Sequence, residues 1–261
     1  MYATERQQLI EQTIAADGSV AVVELAQRFD VTTETVRRDL AQLERAGVVR
    51  RVHGGAVAQR ASSIAESSLV DRAQRHGEAK RAIARRALDA LGDDFTGSVY
   101  LDAGTSTAAL AQLLLERQTQ RVQPLEVVTH SMTVAHLMAG AAGVALTAIG
   151  GRVRGLTAAA VGAGTVRAIE GLRPDIAFLG TNGVSGGFGL STPDPEEAAV
   201  KRAIVTSARR VITLAHAEKL DQELLVAFAG LDDVDLLVTD AAPPAPLAAA
   251  LEEAGTDVWL A

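Results

Sequence analysis

The sequence predicts an α/β chain in two parts: a small helical unit closed by a β-rich arm, then a larger sheet flanked by helices. Three observations carry that expectation. The first 58 residues hold three helix-length segments and one short β-rich run, while residues 77–261 alternate apolar β-rich runs with helical ones. From Ala56 to His76 the periodicity fades and Ser and Ala accumulate, as in a linker. The expected division is 1–58, a linker over 59–76, and 77–261. At 261 residues and 48% hydrophobic content the chain exceeds one average domain and can bury two cores.

Thr4 to Ala16 reads as an amphipathic helix through Ile10 and Ile14, and Val22 to Phe29 as a second, with Asp30-Val31 as a tight turn. A third helix follows. Thr32 and Thr33 offer hydroxyls to cap its first amides, and Gly47 offers the stop that a left-handed residue supplies. Val36, Leu40 and Leu43 make one buried stripe, which leaves Arg38 and Arg45 opposite it and Arg37 on its flank. The run VVRRV, closed by Gly54-Gly55, suits a short hairpin carrying Arg50, Arg51 and His53. An isolated Arg-Arg pair is usually only a solvated face. Helix, short helix, turn and basic helix in this order is instead the helix-turn-helix arrangement, whose second element enters the major groove of DNA.

Net charge is -7, which suits a DNA binder only once it is divided. The first 60 residues hold 8 basic and 8 acidic side chains, and the remaining 201 hold 17 against 24. Residues 32–60 carry six Arg and three acids, a local excess on the proposed reading face. With no cysteine, disulfides, thiolate catalysis and Cys zinc sites are excluded. The five His, at 53, 76, 130, 136 and 216, show no zinc-ligand spacing on any one helix, so neither metal nor cofactor is expected. MYATERQQ lacks the apolar core of a signal peptide, and the charge-free run 127–151 is broken by Gly140, Gly143 and two His. A soluble, cytoplasmic protein is expected.

In the second part, SVYLDAG precedes a helix from Thr105 to Glu116, LEVVTH one from Ser131 to Ala142, and VALTAIGG leads toward one from Val161 to Leu172. IAFLGTNG, a helix from Glu196 to Ala208, RVITLA, DLLVTD, a helix from Ala245 to Ala254 and TDVWLA complete it. Such alternation predicts a mostly parallel sheet, whose ligands sit at the carboxyl ends of strands. Asp102-Ala-Gly-Thr-Ser-Thr107 ends one strand and opens a helix with Gly104, three hydroxyls and free amides, the chemistry an anion needs. By itself a Gly-Thr helix start is commonly only a cap. Gly150-Gly151 and Gly186-Gly187 read as turns, and Gly162-x-Gly164 lacks a third Gly and does not closely follow a strand, so no dinucleotide fingerprint is present. Gly180-Thr-Asn-Gly183 ends another strand. Glu197 and Lys201, at i and i+4, share a helix face where the simplest expectation is an ordinary ion pair.

Residues 4–58 resemble the winged helix-turn-helix of the DeoR family of bacterial sugar-metabolism repressors. The matching residues are Thr32, Thr35, Val36-Arg37-Arg38-Asp39-Leu40 and Arg50-Arg51-Val52-His53-Gly54-Gly55, with Ala21 departing from a Ser or Thr that usually opens the second helix. The resemblance implies that Thr33, Thr35, Arg37, Arg38, Arg50, Arg51 and His53 contact DNA. Residues 77–240 are similar to the family's sensor domain, itself like ribose-5-phosphate isomerase in fold. Asp102 to Thr107 matches its Asp-x-Gly-Thr-Thr loop with Ser106 in a Thr position. Thr129-His130-Ser131 looks like Thr-Asn-Ser with His130 in place of Asn, Gly180 to Gly183 resembles Gly-Ala-Asp-Gly with Asn182 in place of the acid, and Glu197 to Lys201 matches Glu-x-x-x-Lys. The implied effector is a phosphorylated sugar, with the loop of Gly104, Thr105, Ser106 and Thr107 at the phosphate, Asn182, Lys201 and Lys219 toward the sugar, and Asp102 and Gly183 also among the effector-binding residues.

The function expected is a repressor that binds a double-stranded operator as a homo-oligomer and is released by that sugar phosphate. An isomerase with an accessory nucleic-acid domain is the alternative, and it needs a general base. Asn182 removes the obvious carboxylate and leaves Asp102 and Glu197. An RNA-binding regulator fits less well, since a helix and wing suit duplex DNA better than splayed single strands.

Overall fold

A computed structural model of the chain describes residues 3–17, 19–45, 48–52, 54–58, 63–64, 66, 68–92, 95–118 and 124–261. The chain divides into two compact units, Met1–Ser62 and Ser63–Ala261.

The first unit contains α1 (Ala3–Asp17), β1 (Ser19–Ala21), α2 (Val22–Phe29), α3 (Thr33–Arg45), β2 (Val49–Val52) and β3 (Gly55–Ala58). Ile10 and Ile14 from α1, Leu25 and Phe29 from α2, and Val36, Leu40 and Leu43 from α3 converge on one core. The expected stripe on α3 is buried in full. Asp30 ends α2 in the left-handed conformation at φ 52, which makes the sharp turn into α3. The short strand β1 is not announced by the sequence, since three residues carry no periodicity. It pairs antiparallel with β3, which pairs with β2, giving the order β1-β3-β2.

That added strand explains two glycines. Gly54 turns the β2-β3 hairpin at φ +82, and a Cβ on Gly55 would lie 2.1 Å from the carbonyl oxygen of Val20 in β1. It also answers the missing cap at Ala21, which makes no side-chain hydrogen bond to α2. The backbone N–H of Val22 instead donates to the carbonyl of Gly54 at 2.9 Å, so the hairpin satisfies one amide of that helix start.

The second unit opens inside the stretch read as a linker. Ser63 onward belongs to it, and α4 (Leu69–Gln74) is a capped helix, with Ser68 Oγ accepting from the Asp71 N–H. Its six residues are too few for periodicity to show. In order there follow α5 (Gly77–Leu88), β4 (Ser98–Leu101), α6 (Thr105–Gln118), β5 (Leu125–Thr129), α7 (Met132–Met138) and β6 (Val144–Ala148). Next come β7 (Arg152–Arg154), β8 (Ala159–Val161), α8 (Ala163–Glu170), β9 (Ile176–Gly180), β10 (Gly183–Ser185), β11 (Gly189–Thr192) and α9 (Pro195–Ser207). The chain ends with β12 (Val211–Leu214), β13 (Val226–Ala229), β14 (Leu236–Thr239), α10 (Ala245–Ala254) and β15 (Asp257–Leu260).

Seven strands form one parallel sheet in the order β15-β14-β12-β9-β4-β5-β6. Both faces are covered. Val99 and Leu101 of β4 and Phe178 of β9 pack under α5, α6 and α7, while Tyr100, Ala177 and Leu179 face α8, α9 and α10. Burial on both sides is why these strands read as unbroken apolar runs. From β4 the chain adds β5 and β6 on one side, then β9, β12, β14 and β15 on the other. The connections therefore part between β4 and β9, the place where open α/β sheets bind ligands.

Two antiparallel additions, β7-β8 and β10-β11-β13, went unread in the sequence because their strands have only three or four residues. One of them corrects the reading of Gly162, which at φ +99 follows β8 directly and precedes α8. The turns at Gly150-Gly151 and Gly186-Gly187 lie between β6 and β7 and between β10 and β11, as expected. Among the described residues no helix is long and apolar enough to cross a membrane.

Candidate functional site

On the first unit, the face of α3 opposite the core presents Arg37 and Arg38 to solvent, with Thr33 exposed at its first turn. Thr32 caps the helix, its Oγ1 accepting from the Thr35 N–H at 3.2 Å and lying 2.9 Å from Thr35 Oγ1. Thr35 is thus half-engaged in capping. Asp39 points the other way and is 3% exposed, because Arg6 of α1 reaches it through Nε at 2.6 Å and a second nitrogen at 3.2 Å. The Asp39 hydrogen bond raises the Arg6 pKa above its ordinary value, burial opposing it. This fork fixes α3 on α1, and nothing in the local spacing of either residue announces it.

The wing is tied to the same helix. Arg51 donates from Nε to Glu44 Oε2 at 3.0 Å, and its backbone N–H to Glu44 Oε1 at 3.0 Å. Its side chain remains about half exposed, so the guanidinium is placed beside α3 rather than hidden. Arg37 meets Glu34 at 3.7 Å on the surface, an ion pair of little weight. Arg50 lies in β2 opposite Val57. His53 and Gly47 lie outside the described residues.

On the second unit, a small cavity of about 50 Å³ lies beyond the carboxyl ends of β4 and β9. Its walls include Gly104, Thr105, Ser106 and Thr107, then Asn182, Lys201 and Lys219, together with Arg72, Lys80, Thr157, Glu197 and His216. Gly104 takes φ +151, a region glycine favours, and so lets the chain pass from strand end into α6. Thr107 spends its hydroxyl holding that turn, donating to the carbonyls of Asp102 at 2.8 Å and Gly104 at 3.0 Å. Ser106 is 3% exposed and its Oγ has no hydrogen-bond partner, which leaves a buried donor at the amino end of a helix.

Two expected effector residues stand elsewhere. Asp102 lies behind the cavity, fully buried. Its Oδ2 accepts from Lys201 Nζ and from the Gly180 N–H at 2.9 Å, so it positions the lysine instead of lining the wall. Gly183 belongs to β10, where a Cβ would strike the Gln222 carbonyl oxygen at 2.3 Å, so its glycine serves packing. The expected Glu197 and Lys201 pair is not formed among the described residues. Glu197 accepts instead from Thr157 and Arg154, while Lys201 turns to Asp102 and the Gly180 carbonyl. Asn182 keeps its side chain at the wall by accepting from Thr192 at 3.1 Å.

His130 also lies behind the wall. Its Nδ1 is 3.0 Å from Tyr100 Oη and its Nε2 is 3.6 Å from Asp102 Oδ1, and burial lowers its pKa to about 4. It is therefore neutral near pH 7 and backs Asp102. Around the cavity itself positive charge accumulates. Lys219 has its pKa lowered to about 7, first by burial and then by Lys201, Arg72 and Lys80. Lys80 is lowered chiefly by burial, although its Nζ donates to the Arg72 and Arg75 carbonyls. Burial first, and neighbouring cations second, lower both Lys219 and Lys80, an arrangement that an anion would relieve.

Arg72 and Lys80 are not legible as site residues in the sequence, because each comes from a helix remote from the strand-end motifs. Nor did spacing bring together His76, His216 and Glu218, whose ligand-type atoms lie within 4.8 Å of one another. His76 is stacked on His216 at 4.7 Å and 2.9 Å from Glu218. Burial lowers His216 to about 3, with Lys219, His76 and Lys80 adding to it, a field that also opposes a metal cation.

Comparison with known proteins agrees with this division. Residues 6–61 match the DeoR-like helix-turn-helix domain, and residues 75–241 the DeoR C terminal sensor domain. The regulator GlpR of Haloferax volcanii is 34% identical over 266 residues, covering 99% of this chain and 98% of that one. The glycerol-3-phosphate regulon repressor of Escherichia coli is 30% identical over 244 residues, covering 94% and 93%. The ribose 5-phosphate isomerase of Methanocaldococcus jannaschii overlaps 55% of this chain and 54% of its own at 16% identity, with a TM-score of 0.41. That likeness is too slight to argue from. The two family matches and the full-length relatives place this chain in the DeoR family of helix-turn-helix transcriptional regulators.

Proposed function

We propose that the protein is a transcriptional repressor that holds a double-stranded operator through α3 and the wing and releases it when a phosphorylated sugar fills the second unit's cavity. The observation that carries this reading is the cavity's charge. Arg72, Lys80, Lys201 and Lys219 line it, the first turn of α6 opens into it, and the buried Ser106 hydroxyl there lacks a partner. A phosphate group meets all three needs at once. The name of the Escherichia coli relative, a glycerol-3-phosphate regulon repressor, supports a small phosphorylated polyol or sugar as the effector class. Exposed Arg37 and Arg38 with Arg51 beside them supply the cations for the DNA backbone and base edges. A homo-oligomer fits the same reading, because one helix and wing cover only a half-site.

The isomerase alternative has little to work with. Asp102 is fully buried against Lys201, and Glu197 is occupied by Thr157 and Arg154, so neither carboxylate stands free as a base. Thermal-shift screening of the full chain against sugar phosphates, followed by release of bound operator DNA, tests the proposal. A compound that raises Tm and lowers operator affinity is the expected result. Turnover of ribose 5-phosphate, or no response to any phosphorylated compound, would overturn it.

A further inference from the structure

Helix α4 with Arg75 and His76 after it, a short strap at one side of the cavity, contributes a binding group of its own. Arg72 of α4 lines the wall, and its Nε and one terminal nitrogen are shut off from solvent with no hydrogen-bond acceptor among the described residues. Glu66 Oε1 is the nearest carboxylate oxygen recorded, at 3.9 Å, beyond hydrogen-bond reach. Glu66 is committed elsewhere, its Oε2 lying 2.7 Å from Arg154. A buried guanidinium edge without an acceptor is costly unless something arrives to accept from it.

The strap that carries Arg72 is fastened by backbone hydrogen bonds in addition to the ion pair between Glu66 and Arg154. The Leu225 N–H donates to the Ser63 carbonyl at 3.0 Å and the Leu69 N–H to the Leu156 carbonyl at 3.1 Å. At its end, Lys80 caps the Arg72 and Arg75 carbonyls, and His76, at φ 55, stacks on His216. A helix of only six residues has little stability of its own. It is also the first segment of the second unit, so its hold sets where the chain arriving from the first unit is anchored.

Resting on the anion site proposed above, we infer that Arg72 donates its free edge to the effector's phosphate, so that filling the cavity locks α4 against it. The signal to the DNA-binding unit then begins as an ordering of this strap, the one wall of the cavity continuous in sequence with that unit. The fork geometry of arginine matters, since Nε and a terminal nitrogen present two parallel donors to two phosphate oxygens.

Amide hydrogen exchange of the full chain, with inorganic phosphate against chloride at equal ionic strength, tests the inference. Phosphate is expected to slow exchange in two places: the first turn of α6, at 105–108, and α4, at 71–75. In Arg72→Gln, phosphate binding weakens roughly tenfold or more; at saturation 105–108 remain protected while 71–75 do not. Arg72→Lys keeps the charge but not the fork, and its α4 protection is expected to fall as well. Protection of 105–108 without 71–75 in the unaltered protein would overturn the strap while sparing the anion site. Protection of neither segment would overturn both, and full α4 protection in Arg72→Gln would remove the arginine from the account.

Discussion

Arg6 and Asp39 meet at 2.6 Å in the interior of the first unit, 8% and 4% exposed, and pin the arginine-bearing helix to α1. Removing one member of such a pair leaves an uncompensated buried charge. Asp39→Ala is therefore expected to cost about 3–5 kcal/mol and to unfold the first unit before the second. Denaturant unfolding followed by circular dichroism should then show an early transition absent from the unaltered protein. A single unshifted transition would contradict the role given to the pair.

Arg38, exposed on the reading face, is expected to contact a base edge. Arg38→Ala should weaken operator binding by about 1–3 kcal/mol while leaving the melting temperature unchanged. Fluorescence anisotropy with labelled operator checks this, and an unchanged midpoint would remove Arg38 from the interface.

Thr105 opens α6 at the cavity wall. Thr105→Asp places a like charge against the proposed phosphate and should abolish release of the operator by the effector. If the effector still frees the variant from DNA, the loop does not hold the phosphate.

Lys219, with its pKa lowered to about 7, gives the site a pH dependence. Below that value the ammonium is present and favours an anion; above it the amine is neutral. Phosphate affinity should therefore fall as pH rises from about 7 to 9, while Lys219→Arg, charged throughout this range, should remove that fall. Lys201, Arg72, Lys80 and Asp102 all bear on this lysine. Isothermal titration at several pH values measures the effect, and equal slopes for both proteins would refute it.

Ala21 lacks the side-chain oxygen that caps a helix, leaving only the wing's help to α2. Ala21→Ser should stabilise the first unit by about 0.5–2 kcal/mol. A fall in its thermal midpoint would mean that the hairpin contact and a hydroxyl cap cannot coexist.

By itself the sequence determined the long elements and the chemistry at their ends. Ile10, Val36, Leu40 and Leu43 lie in the core because 3.6-residue periodicity is a local property, and the apolar strands lie in a sheet covered on both faces for the same kind of reason. The Gly104 to Thr107 loop was legible as residue types that suit an anion, while Lys201 entered only through the family resemblance. Only the tertiary structure decided which of these types line the cavity and which stand behind it. It moved Asp102 and Gly183 out of the wall, broke the expected Glu197 and Lys201 pair, and brought Arg72 and Lys80 in from helices that precede the sheet. Such choices depend on which side chains lie within a few ångströms across the fold, and electrostatic and hydrogen-bond energies fall off over that distance, whatever the separation along the chain.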